Sequence, residues 1–107
     1  MSYIVIDHVD GTRTYPGVPN YKDLRYLVGG HVEAIRIPGG MTMYVNEEGK
    51  LMGLPVNARA TVIQSNPFDF IVGVAVIVGE PTEDGEDTGL TPDQLEVLNF
   101  HLGSGTR

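Results

Sequence analysis

The 107-residue chain has no cysteine. That removes disulfides, thiolate zinc sites and cysteine nucleophiles together, and it suits a cytoplasmic protein. Long apolar runs are also missing. The longest, Phe70–Val78, falls far below the roughly 20 residues a membrane helix needs. The opening stretch MSYIVIDHVD lacks the basic n-region and long apolar h-region of a signal peptide. The expectation is a soluble protein of the cytoplasm, with no membrane partner.

Recognisable catalytic patterns are scarce as well. His8, His31 and His101 form no HxH or HxxxH pair, so each is expected to be solvated or singly hydrogen-bonded, and no metal or cofactor is expected. Gly29-Gly30 and Pro38-Gly39-Gly40 match neither GxxxxGK[ST] nor GxGxxG. Ser2, Ser65 and Ser104 sit in no nucleophile elbow. Glu47 and Glu48 are adjacent, and neighbours on a strand end point to opposite faces rather than into one acid–base site. Enzymes are the least favoured class.

Positive charge is rare in the last quarter. The net charge is -7, yet residues 1–79 hold seven acids against six cations. From Glu80 onward come seven acids and only Arg107. Such a balance argues against nucleic-acid partners, whose backbone needs a basic surface. The length and a hydrophobic fraction of 41% fit one domain over residues 1–107 with a modest core. A chain this short gains from a partner subunit, so a homo-oligomer is expected.

What is present reads as alternating strands and helices. Tyr3-Ile4-Val5-Ile6 is β-branched and predicts a strand. Asp10-Gly11 either closes a hairpin with Arg13-Thr14-Tyr15 or opens a loop, since Pro16, Gly17 and Pro19 follow closely. Asn20–Val28 predicts a helix: Asn20 caps, Asp23 suits the dipole, Leu24, Leu27 and Val28 face the core, and Gly29-Gly30 stops it. His31–Ile37 and Met41–Val45 predict a hairpin about Pro38-Gly39-Gly40, with Met41, Met43 and Val45 on one side and Thr42 and Tyr44 on the other.

Asn46-Glu47-Glu48-Gly49-Lys50 turns that strand over, and Leu51–Pro55 leads to a short helix at Asn57–Gln64 with Asn57 as N-cap. Phe70–Val78 predicts a central strand covered on both faces, with a bulge or close approach at Gly73. Glu80–Gly89 predicts an acidic, flexible loop. Thr91-Pro92-Asp93-Gln94 announces a last helix with a capping box, Leu95, Leu98 and Leu102 as its stripe, and a frayed tail at residues 103–107. The expected fold is α+β: a mostly antiparallel sheet of four to five strands, with two or three short helices packed chiefly on one face.

Three stretches, GGHVEAIRIP, YVNEEGKLMGLPVNARAT and IVGVAVIVG, resemble the family catalogued as domain of unknown function thirty-eight forty-six. The likeness covers about residues 26–90. It is sharpest at the Asn-Glu-Glu-Gly-Lys turn, the Gly-Leu-Pro that follows, and Asn57 with Ala60-Thr61. It implies a phage, plasmid or actinobacterial setting, hence a host cell's cytoplasm if phage-encoded. It brings no reaction and no catalytic residue.

One constellation invites a ligand. Tyr44, Glu47, Asn57 and Arg59 surround the turn-to-helix junction, with Arg36 and Glu33 on the neighbouring strand. An amide, a guanidinium fork and a phenol suit a planar, anionic or nucleobase-like molecule. The plainer account, which is favoured, has Asn57 capping, Arg59 pairing with Glu47 or Glu48, and Tyr44 packing. Two functions follow. The first is a non-catalytic, phage-like accessory protein that binds a host protein. The alternative is a small-molecule binder that sequesters a nucleotide-derived signal of host immunity, at a subunit interface.

Overall fold

A computed structural model describes residues 1–9 and 11–102. Asp10 and the tail expected at 103–107 lie outside the described residues. The chain runs β1 (Ser2–Asp7), β2 (Gly11–Pro16), α1 (Tyr21–Val28), β3 (Val32–Ile37), β4 (Met41–Asn46), α2 (Ala58–Ile63), β5 (Ala75–Val78) and α3 (Pro92–Leu102). The strands form one sheet in the order β2-β1-β5-β4-β3, antiparallel at every pairing. This is the α+β architecture read from the sequence. The β1–β2 hairpin forms, so the loop alternative at Gly11 is not taken.

Strand alternation divides the apolar side chains between two faces. Ile4, Ile6, Met43, Ala75 and Ile77 pack beneath α2 and α3 through Ala60, Leu98 and Leu102. Val5, Val76 and Val78 pack beneath α1 through Leu24 and Val28. Two of the three helices therefore share one face and α1 covers the other. All four residues of β5 are buried, as a strand covered on both faces requires.

The helix ends follow local chemistry. Asn20 Oδ1 accepts from the Asp23 amide while the Asp23 carboxylate accepts from the Asn20 amide. Thr91 and Gln94 make the same reciprocal pair at α3. Gly29 ends α1 in the left-handed region at φ 81.

The apolar run at 70–78 departs from expectation. Only Ala75–Val78 is a strand. Residues 71–73 pair instead with the approach to α2: the Asn57 amide donates to the Ile71 carbonyl, and the Gly73 amide donates to the Pro55 carbonyl. Gly73 sits at φ +74, and a Cβ there would meet Leu54 Cδ1 at 2.8 Å. The close approach expected at Gly73 thus breaks the strand, and Phe70 is left half in water.

The acidic loop is tied at several points. The Gly79 amide donates to the Thr88 carbonyl, the Thr82 amide to the Glu86 carbonyl, and Thr88 Oγ1 to the Glu80 carbonyl. The Leu90 amide then donates to the Ser2 carbonyl, and Leu90 is buried.

Edge geometry can be read from two bonds. The Glu47 amide donates to the His31 carbonyl. Antiparallel ladders alternate, so Glu33, Ile35 and Ile37 bond to β4, whereas Val32, Ala34 and Arg36 turn their amides and carbonyls outward. On the opposite edge the Gly17 amide donates to the Met1 carbonyl, which by the same rule turns Thr12, Thr14 and Pro16 outward. Pro16 removes a donor from that edge. Edge β3 has no such block.

Candidate binding surface

The six residues singled out in the sequence are not gathered at one place. Asn57 is 1% exposed. Its Nδ2 donates to the carbonyls of Ile6 (2.9 Å) and Gly73 (2.8 Å), and its Oδ1 accepts from the Ala60 amide (3.1 Å). It caps α2 as expected and also clamps three segments from inside. No donor or acceptor direction of that side chain is turned toward a surface ligand.

Tyr44 faces the α1 side, where its hydroxyl donates to Asp87 Oδ1 at 2.6 Å. Arg36 donates to the Gly40 carbonyl at 3.3 Å. Arg59 is exposed on α2 and makes no ion pair with Glu47 or Glu48. Glu33 and Glu47 are the two members that meet, on the wall of a cleft of about 200 Å³ on the α2/α3 side of β3.

Lys50, Asp69 and Phe70 complete that cleft. Lys50 pairs with the Asp69 carboxylate and lies 4.6 Å from the Phe70 ring centre. The hydrogen bond from Lys50, with the Phe70 amide second, holds the Asp69 carboxyl below its ordinary value. The cation is thereby held by its own neighbours. Sequence reading missed this trio because its members are 19 and 20 positions apart. No local pattern joins Lys50 to Asp69 and Phe70, so nothing in the sequence marked the trio.

A second groove follows two residues along the same strand face. Ile37, Met41, Leu98 and the partly buried Ile63 form its floor, with a volume of about 250 Å³, and the exposed Pro38 stands at its edge. Val62 of α2 and Val97 and His101 of α3 line it, and Phe100 adjoins it beside Val97 and His101. Val62 is 69%, Val97 51% and Phe100 83% exposed. Phe100 stacks edge-on against His101 at 5.6 Å. Asp93 and Glu96 share the outer side of α3 with Val97 and Phe100. Val97 and Phe100 lie off the Leu95/Leu98/Leu102 stripe, and apolar residues on the polar side of a helix were the sequence signal for this groove.

Among the described residues, no group of three or more His, Cys, Asp or Glu side chains could hold a metal ion. No helix among them is long and apolar enough to cross a membrane.

One prediction concerns the Tyr44–Asp87 bond, which joins the acidic loop to the sheet. Tyr44→Phe should lower stability by about 1 kcal/mol, read by urea denaturation. Burial first, and the bond to Asp87 second, push the Tyr44 phenol above its ordinary value. The unfolded chain therefore ionises first, so this contribution is intact below about pH 10 and lost as pH rises above it. The variant should show a shallower alkaline loss of stability than the parent.

The fold and its surfaces define a small α+β domain with an open sheet edge and an apolar groove between two helices. The family described as Domain of unknown function (DUF3846) matches residues 2–102, and the chain belongs to that family. The match extends the likeness seen in the sequence to both ends of the sheet. No curated protein and no solved structure gives a significant match.

Proposed function

We propose that this chain is a non-catalytic accessory protein that binds another protein through the groove between α2 and α3. The carrying observation is that Val62 and Val97 stand exposed over a cavity floored by core residues, with the exposed Phe100 adjoining it beside Val97. Apolar side chains concentrated on a concave surface favour a partner that supplies an apolar anchor. Asp93 and Glu96 beside them favour a partner with Lys or Arg flanking that anchor. The phage setting, and hence a host protein as the partner, rests on the sequence resemblance.

The test is capture from a bacterial host lysate by the immobilised chain and by a Val97→Asp, Phe100→Ser double variant. Both side chains are exposed, so the variant should fold. Partner capture should fall at least tenfold, about the loss of one strong interface residue. An unchanged set of captured proteins would count against the groove. The nucleotide-signal alternative has less to support it, because a ligand would have to bind without Asn57. A flat thermal-shift screen against nucleotides would remove it.

A further inference from the structure

We propose that β3 pairs antiparallel with β3 of a second copy, about a two-fold axis at Ala34, joining two five-stranded sheets into one. The proposal does not depend on the helix groove, since it uses the open strand edge. Of the two edges, β2 carries Pro16 at an outward position, while β3 presents outward amides and carbonyls at Val32, Ala34 and Arg36 without proline.

The axis position follows from that geometry. A two-fold axis normal to a sheet keeps each face on its own side, so paired residues must share a face. Outward-turned residues must also meet each other for hydrogen bonds to form. Axes at Glu33 or Ile35 would meet both conditions too, but only with Ala34 paired to Ala34 of the other copy and Val32 to Arg36 do all three outward residues find outward partners. The axis then falls on a small side chain. No like charges are placed directly opposite, because Glu33 faces Ile35 across the joint. The strand is itself neutral, with one acid and one base.

Apolar surface is covered by the same arrangement. Ile35 is partly exposed beside the cleft, and Leu51 and Phe70 on the cleft wall are exposed. The second copy's Ile35 would arrive opposite Glu33, at the mouth of that cleft. The two Ile35 side chains become diagonal neighbours across the axis. The net charge of -7 does not forbid the contact. Glu80 lies against Gly40, at the turn end of β3, so the antiparallel joint holds the two acidic loops at opposite corners.

The test uses the full chain in sedimentation equilibrium over a concentration series. The parent should reach the mass of a dimer. Ala34→Pro should stay monomeric, because it removes an outward amide and leaves the bonds to β4 intact. A second measurement does not depend on that variant folding. The chain has no cysteine, so Ala34→Cys offers a single thiol on β3 and Thr14→Cys a single thiol on β2. A short bifunctional maleimide should cross-link the first into dimers and leave the second monomeric. A parent that stays monomeric throughout, a dimer that survives Ala34→Pro, or equal cross-linking from both edges would each overturn the proposal.

Discussion

Replacing Asn57 by Ala should destabilise the protein by about 3–5 kcal/mol, a large share of the 5–15 kcal/mol typical of a domain. The side chain makes three hydrogen bonds at a site 1% exposed, out of reach of bulk water. Truncation leaves the Ile6 and Gly73 carbonyls and the Ala60 amide without these partners, and each such loss costs about 1–3 kcal/mol. Urea denaturation of the parent and the variant measures the difference. Asn57→Asp discriminates further. A carboxylate cannot donate to two carbonyls, and burial disfavours its charge, so its folded-state pKa should rise above the unfolded value of about 3.9. The Asp variant should therefore gain stability as pH falls toward that value, and lose it as pH rises through the folded-state pKa. A loss below 1 kcal/mol for Asn57→Ala would mean that the clamp contributes little.

Asn57 also marks the boundary between what local chemistry declares and what it hides. Its capping role is a bond to a residue three positions on, the same local rule that exposed Asn20 and Thr91 as caps and Pro38-Gly39-Gly40 as a turn. Its bond to Ile6 spans 51 positions, and no periodicity encodes it. Asn46 behaves alike: it was read only as part of a turn, yet it is buried and its Nδ2 donates to the Val28 carbonyl at the end of α1. Type and order of elements were therefore legible, while strand order and the partners of buried amides were not. The Phe70–Val78 run fails for a related reason. Apolar composition reports burial, but Ile71 and Val72 are buried under the loop leading to α2 rather than within the ladder.

The candidate site was legible only in part, because its chemistry depends on which strand faces meet. Glu33 and Glu47 belong to the face that carries the cleft. Tyr44 alternates to the other face and finds the acidic loop. Arg59 follows Glu47 and Glu48 by 12 and 11 positions, yet Lys50 holds the ion pair in that region, because Asp69 returns beside it. Charged residues close in sequence were taken as partners, and the fold chose residues distant in sequence.

Gly79→Ala should destabilise by about 3 kcal/mol through crowding alone. Gly79 ends β5 and is buried, and a Cβ there would lie 2.3 Å from the Gly89 carbonyl oxygen and 2.6 Å from Thr88 Oγ1. The obstacle is backbone, and that backbone cannot simply retreat. The Gly79 amide bonds the Thr88 carbonyl, and the Leu90 amide bonds the Ser2 carbonyl, so displacing residues 88–89 draws Leu90 out of the core. A control separates crowding from backbone strain. Gly85 has φ +83 with open space around its Cβ position, so Gly85→Ala should cost only about 1 kcal/mol, from the left-handed conformation. Urea denaturation should rank Gly79→Ala well above Gly85→Ala, and hydrogen exchange should show the Leu90 amide losing protection in the first variant alone. Equal costs would mean that the loop yields freely at residues 88–89, and that its hydrogen bonds to Gly79 and Ser2 do not hold Leu90 in place.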